Sequence, residues 1–367
     1  MASLVGYCVK RVLLAIPVLL AVSVLGFTLM RFDITLGPVS FPGITDAQGQ
    51  AVVWRWHLKN PIDPLAHLKN NPQISRAVYA HERERLGLDK PLPVQYWRWL
   101  QGIIGIHPGE AIRGQWQQVF QWPNLGQTFN GDDVSTLLMQ RAGNTLLLNA
   151  IVILITWLVA LPLGVYGALH WRKLPDRLLT VAATVGMATP SFVLALLLAV
   201  WVVQTGILPL GGIATEGADN WPWWAQWGDT ARHLALPVFV LTVGGIASLQ
   251  RQMRGNLLEV LQAEYVRAAR ARGLTDMRVV YGYAVRTALN PLITLLGYEF
   301  AALLSGALLV EMVLNFPGLG LLTYQAVLDT DTNLVMVTLL LSSAMLILGN
   351  LLADILLKWV DPRIELA

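Results

Sequence analysis

Asn144-Thr-Leu-Leu-Leu-Asn-Ala-Ile-Val-Ile-Leu-Ile-Thr-Trp-Leu-Val-Ala-Leu-Pro-Leu-Gly-Val-Tyr-Gly-Ala-Leu169 carries no charged side chain. As a helix rising about 1.5 Å per residue it reaches ~39 Å. That exceeds the roughly 30 Å of hydrocarbon in a bilayer. Trp171, Arg172 and Lys173 follow at once, an aromatic and basic ending suited to a membrane–water boundary. Inside hydrocarbon every backbone N–H and C=O must find a partner within the segment, so the stretch reads as a transmembrane helix.

Working outward, five more stretches have the same character: 12–30, 178 to about 206, 233–250, 291 to about 314, and 334–353. The whole chain agrees. Charged residues make up 13% and the mean hydropathy is +0.53, against roughly 25% charged in a soluble domain. The expected fold is an all-α membrane protein with six transmembrane helices. A net charge of +3 without a basic patch excludes a nucleic-acid binder. The single cysteine, Cys8, excludes an internal disulfide framework and a CxxC site. The first apolar run is long, ends at Met30-Arg31 and precedes no A-x-A site. It therefore reads as a span and not as a signal peptide.

Basic residues orient the spans. Lys10 and Arg11, then Arg172, Lys173 and Arg177, then Arg251 through Arg286, then Lys358 and Arg363 fall in short segments on one side. Both termini are accordingly expected in the cytoplasm. The chain divides into an N-terminal helix (1–32), an extracytoplasmic segment rich in Trp (33–143), and a core of five helices (144–367) with a cytoplasmic loop at about 252–290. Outside, Trp54, Trp56, Trp97, Trp99, Trp116 and Trp122 precede a second group, Trp221, Trp223, Trp224 and Trp227. Such rings suit a membrane boundary or a docking surface for an outer partner.

The cytoplasmic loop reads helical from 256 to 272, with Leu257, Leu258, Leu261, Tyr265, Ala268, Ala269 and Arg272 at 3,4 spacing. Gly273 stops it, and a second helix is expected over 276–288. An amphipathic helix in this position can lie on lipid or seat in a groove of a partner. Periodicity alone leaves both open.

Glu264-Tyr-Val-Arg-Ala-Ala-Arg-Ala-Arg-Gly-Leu274 resembles the coupling-loop motif of ABC importer permeases, specifically the B-type permease of the dipeptide/oligopeptide/nickel family. It departs from the general motif at Arg267, where a Glu is usual, and at Arg286, where a Pro is usual. Further stretches also look like this family: Leu86 to Leu100, Leu125-Gly-Gln-Thr-Phe129, Arg141-Ala-Gly-Asn-Thr-Leu146, Thr189-Pro-Ser-Phe192, Val310-Glu-Met-Val-Leu-Asn-Phe-Pro-Gly-Leu-Gly320 and Asp361-Pro-Arg363. Residues 33–83 and 103–124 look like insertions. The resemblance implies a type I ABC importer permease fold in a bacterial inner membrane. It implies two ABC ATPase subunits, a sister permease and an extracytoplasmic solute-binding protein as partners. ATP and Mg would sit on the ATPases, with no cofactor in this chain. Glu264, Tyr265, Arg267, Ala268, Ala269, Arg270 and Gly273 would couple it to an ATPase, and Ala268, Ala269 and Gly273 would allow close backbone approach. The cargo would be a short peptide or a similar small solute.

The residues themselves offer no catalysis. No Gly-Lys dipeptide exists, so there is no P-loop. His81-Glu-Arg-Glu-Arg85 lacks the second histidine of a zinc motif. Intramembrane acids mark function by default, so Glu299 and Glu311 are candidates for the translocation path, with a hydrogen-bonded structural role as the alternative. They also support a rival, an ion-gradient-driven secondary transporter. Asp354 is expected to pair with Lys358 one turn on.

Overall fold

The computed structural model describes residues 4–39, 53–61, 75–85, 88–105, 125–126, 128, 132–329 and 331–360. Helix α1 (Leu4–Arg31) leads into an antiparallel pair, β1 (Phe32–Val39) and β2 (Val53–Pro61). Then come α2 (Arg76–Arg85), α3 (Leu92–Ile104), α4 (Val134–Leu169), α5 (Leu174–Ala188) and α6 (Ser191–Thr205). The remainder is α7 (Trp223–Val260), α8 (Glu264–Ala271), α9 (Asp276–Val279), α10 (Val285–Val313), α11 (Leu319–Leu328) and α12 (Thr332–Val360).

Among the described residues, four helices are long and apolar enough to cross a membrane: α1, α4, α7 and α12. The α5–α6 pair makes a fifth if it counts as one span, although it bends by 90°. Pro190 causes the bend. It lacks an N–H and disfavours the helical conformation at the residue before it. Thr189 is accordingly extended, at φ −89 and ψ 112. The expected fifth span, 291–314, lies within α10.

Several helices outrun the predicted apolar stretches. The 38 residues of α7 make a rod of roughly 57 Å, so both ends project past a hydrocarbon core of about 30 Å. Its basic end carries Arg251 and Arg254 beyond the 233–250 stretch. α4 likewise begins at Val134 rather than near 144. Asp133 caps it, accepting from the Thr136 N–H at 3.2 Å. Pro17, Pro162, Pro237 and Pro291 sit inside helices, as membrane helices tolerate.

The chain forms two compact units. The first comprises residues 1–15, 139–324 and 342–367. One of its cores gathers Leu148 and Val152 of α4, Ala195 and Val202 of α6, Leu234 and Val240 of α7, and Phe316. A second core gathers Ala160 of α4, Met253 and Leu257 of α7, Val266 and Ala269 of α8, and Ala284, Ala288 and Leu292. Here Asp354 does not pair with Lys358. It accepts from the Tyr7 hydroxyl at 2.7 Å and lies 3.0 Å from Arg11 Nη2. A partner from α1 thus replaces the expected neighbour on its own helix.

The second unit comprises residues 16–138 and 325–341. The β1–β2 pair here is an exception to the all-α expectation. Its strands pair Ile34 with Leu58 and Leu36 with Trp56. Phe27 packs edge-on against Tyr96, with ring centres 5.5 Å apart. The hydroxyls of Tyr96 and Ser23 share a 2.7 Å hydrogen bond. Trp99 Nε1 donates to Asn333 Oδ1 at 3.1 Å, and Asn333 Nδ2 donates to the Leu125 carbonyl at 2.6 Å. Trp99 is therefore half-buried and bonded, while Trp97 stays exposed. Trp116 and Trp122 lie outside the described residues.

Candidate coupling surface and buried polar clusters

The expected single helix over 256–272 is two helices. Residues up to Val260 belong to α7, which ends as the Leu261 N–H bonds the Leu257 carbonyl at 2.9 Å. Leu261, Gln262 and Ala263 turn the chain, and α8 starts afresh at Glu264. Gly273 closes it at φ +77, a left-handed conformation open to glycine at little cost. The bonds Gly273 N–H to Arg270 C=O, 2.9 Å, and Leu274 N–H to Ala269 C=O, 3.4 Å, wrap this turn.

The turn resets the register of the apolar face. Val266 and Ala269, three apart, are the buried side of α8. They dock on Leu257, Val279 and Ala288. Glu264, Tyr265, Arg267, Ala268 and Arg270 are exposed. Of the residues at 3,4 spacing, Tyr265, Ala268 and Arg272 are exposed, while Leu257 and Ala269 are buried. A Cβ on Gly273 would meet nothing within 4 Å, so within this chain its glycine serves the turn and not a close contact. Met277, Tyr281 and Tyr283 are also exposed, so a basic and aromatic ledge continues past α8. The expected second helix, 276–288, runs as α9, a π turn at Val280–Ala284, and the start of α10.

Two polar clusters sit among these helices. Asp176, at the start of α5, is buried. Arg254 of α7 grips it through Nε at 2.5 Å and Nη2 at 2.8 Å. The backbone N–H of Arg172 adds a third donor, 2.9 Å from Oδ2. A carboxylate taken out of water needs this degree of pairing. Sequence spacing carried no signal of it.

Glu311 is the other cluster. Its side chain is only 1% exposed. Oε2 accepts from the Leu321 N–H at 2.8 Å, and the Gly320 N–H also faces the carboxylate. Both amides belong to the first turn of α11, where unpaired N–H groups and the helix dipole favour an anion. Thr145 of α4 links on, donating to Oε1 at 3.5 Å and accepting from the Leu319 N–H at 2.8 Å. Asn144 donates to the Pro317 carbonyl at 2.8 Å. Gly318 lies directly against the carboxylate. The geometry thus favours the structural alternative for Glu311 over an open, path-facing carboxylate. Glu299 falls within α10, but its side chain lies outside the described residues. Among the described residues no group of three or more His, Cys, Asp or Glu could hold a metal.

Membrane-length helices, one with a projecting basic end, and a short helix with an exposed polar face beyond it define a multi-pass membrane protein. Residues 160–366 match the family described as "Binding-protein-dependent transport system inner membrane component". Residues 50–149 match "Binding-prot-dependent transport system membrane comp, N-term". The chain belongs to this family: it is a permease subunit of the inner membrane, with no catalytic step of its own. A putative peptide permease protein of Brucella ovis is 35% identical over 98% of both chains. The oligopeptide transport system permease protein AppB of Bacillus subtilis is 32% identical over 98% of this chain and 99% of its own. The glutathione transport system permease protein GsiC of Salmonella paratyphi A is 30% identical over 99% of each.

This membership displaces the ion-gradient alternative. The N-terminal family match runs through 50–149, and the relatives are covered almost end to end. That match takes in residues 50–83 and 103–124 of the stretches read as insertions.

Proposed function

We propose that the chain is one of two permease subunits in an ATP-driven importer of short peptides. Relatives named for peptide, oligopeptide and glutathione transport support that cargo; glutathione is itself a tripeptide. On this reading a sister permease completes the channel, and an extracytoplasmic binding protein delivers the solute. Two ATPase subunits hold ATP and Mg. The chain crosses the membrane six times, with α10 and the α5–α6 pair as spans and both termini cytoplasmic. The divisions 1–32, 33–143 and 144–367 then correspond to an anchor helix, an outer segment and the permease core.

The observation that carries the coupling role is the split of α8 into two faces. Val266 and Ala269 bind it to its own chain, while Tyr265, Arg267, Ala268 and Arg270 are left turned outward. A short helix with one face anchored and the other offered is how a helix enters a partner's groove. Glu264, Ala269 and Gly273 contribute by starting the helix, seating it and ending it. Glu299 remains a candidate for the path by its position in α10.

The test is reconstitution. The chain is co-expressed with the sister permease and ATPases from its own genome, purified, and placed in liposomes with the binding protein. ATP-dependent uptake of radiolabelled tri-alanine is the expected result. Uptake by this chain alone, driven by a pH gradient and indifferent to ATP, overturns the proposal.

A further inference from the structure

We propose that the translocated solute passes over the α5–α6 elbow, through an uncharged cavity whose floor is kept clear by Gly244. This deepens the permease reading and rests on it. The cavity has a volume of about 330 Å³, and Gly186, Thr189, Ser191, Val243, Gly244 and Ser248 are among its lining residues. That volume is at the small end of the range for solute sites, roughly 300–1,000 Å³.

Three observations converge on it. The first is the elbow. Thr189 and Pro190 leave the helical conformation between two helices at 90°. Pro190 has no N–H to offer, so the last turn of α5 and the first turn of α6 have backbone groups without intrahelical partners. Backbone broken at membrane depth is tolerated only inside protein or along a wet cavity, and this break borders a cavity.

The second is the glycine pair on α7. A Cβ on Gly245 would meet Thr156 of α4 at 3.1 Å, so Gly245 is explained by close helix packing. A Cβ on Gly244 would meet nothing within 4 Å. Glycine inside a helix is unfavourable relative to alanine, and no contact among the described residues accounts for it at Gly244. Clearance does. The third is the lining. It carries hydroxyls at Thr189, Ser191 and Ser248 and no charge. Hydroxyls and freed backbone groups hydrogen-bond the amides of an extended peptide whatever its side chains. A charged wall would sort peptides by sign.

Cys8 is the chain's single cysteine, which makes the test direct. In a Cys8→Ser background, Ser191→Cys, Gly244→Cys and Ser248→Cys are made singly in the assembled transporter, in liposomes. Leu197→Cys, on an exposed face of α6 outside the cavity lining, is the control. Each is treated with the charged reagent sulfonatoethyl methanethiosulfonate, and modification of this chain is read by mass. The cavity cysteines are expected to react at least tenfold faster than Leu197→Cys. Gly244→Trp is expected to lower ATP-driven tri-alanine uptake at least tenfold, with Leu197→Trp, outside the lining, near the parent. Cavity cysteines that react only with a lipid-soluble maleimide put lipid there, and cysteines that react with neither put the sister permease there. Either result overturns the proposal. Uptake by the Cys8→Ser transporter, measured in parallel, separates this failure from failure of the permease reading itself. With ATP-driven uptake intact, only the placement of the path is lost.

Discussion

Arg254 grips Asp176 across 78 residues of chain, two nitrogens on two carboxylate oxygens at 2.5 and 2.8 Å. The pair joins the start of α5 to the last two turns of α7. It therefore lies between the core that holds α8 and the short turn at 170–173. Bidentate geometry fixes direction as well as distance, so a shift of the α7 end is transmitted to α5.

Breaking the pair should cost stability first. Removing one member strands the other charge, typically 3–5 kcal/mol for a buried pair. The Arg254 side chain is 24% exposed, so water takes up part of that loss. Arg254→Ala strands the buried Asp176 carboxylate with only the Arg172 amide and should destabilise the chain by about 3 kcal/mol, near the lower end of that range, and Asp176→Ala by less, since the Arg254 side chain reaches water. Thermal unfolding of the purified complex in detergent checks the order. Equal melting temperatures for Arg254→Ala and the parent would mean the pair holds nothing.

Glu311 invites a sharper comparison. Glu311→Gln keeps an acceptor for the Leu321 amide but loses the charge at the α11 terminus, an effect of about 1 kcal/mol. Glu311→Ala leaves the Leu321 and Gly320 amides facing no acceptor, at about 1–3 kcal/mol each. Gly318→Ala places a methyl where the carboxylate sits, which forces one of them to move. Expression level and melting temperature should fall mildly for Glu311→Gln and strongly for the other two. If all three behave alike, the carboxylate is not what seats α11.

The apolar stretches 12–30, 144–169, 233–250 and 334–353, which fall on membrane-length helices, were legible because hydrocarbon thickness imposes a length that soluble helices do not share. Where helices leave the bilayer that constraint ends. This is why α4 and α7 extend through polar turns that hydropathy does not mark. Which face of α8 is buried was not legible, for a related reason. A 3,4 pattern carried on from Leu257 and Leu261 selects Tyr265 and Ala268, but the turn at 261–263 restarts the register at Glu264. The β pair left a trace that went unread: Trp54, Arg55, Trp56, His57 and Leu58 alternate apolar and polar with period two. Asp176 with Arg254, and Glu311 with Thr145, carried no trace at all. Such pairs are set by how helices pack, and no spacing rule reaches across 78 or 166 residues.

Gly273 should matter through its backbone. At φ +77 a side chain with a Cβ costs about 1–2 kcal/mol, and asparagine suffers least among the alternatives. Gly273→Val should let the turn after α8 relax and displace the ledge, so that ATP hydrolysis by the assembled complex continues while uptake per ATP falls severalfold. Gly273→Asn should retain most of the coupling. The ratio of tri-alanine imported to phosphate released, measured in liposomes, distinguishes the two. An unchanged ratio for Gly273→Val would remove the turn from coupling.

The two faces of α8 should respond differently to charge. Val266 has no exposed surface, so Val266→Asp buries a carboxylate among Leu257, Val279 and Ala288. Burying an unpaired charge costs several kcal/mol, and this variant should fail to accumulate in the membrane. Arg267 and Arg270 are exposed. The contact of Arg270 with Asp276, at 3.4 Å, is solvent-exposed and worth under about 1 kcal/mol. Arg267→Glu and Arg270→Glu should therefore leave level and melting temperature near the parent, yet weaken retention of the ATPase subunits on a column carrying this chain, most clearly at low salt, where exposed charges are screened least. A helix resting on lipid gives a different pattern. The same two variants would then bind the ATPases normally and lose affinity only for vesicles of anionic lipid.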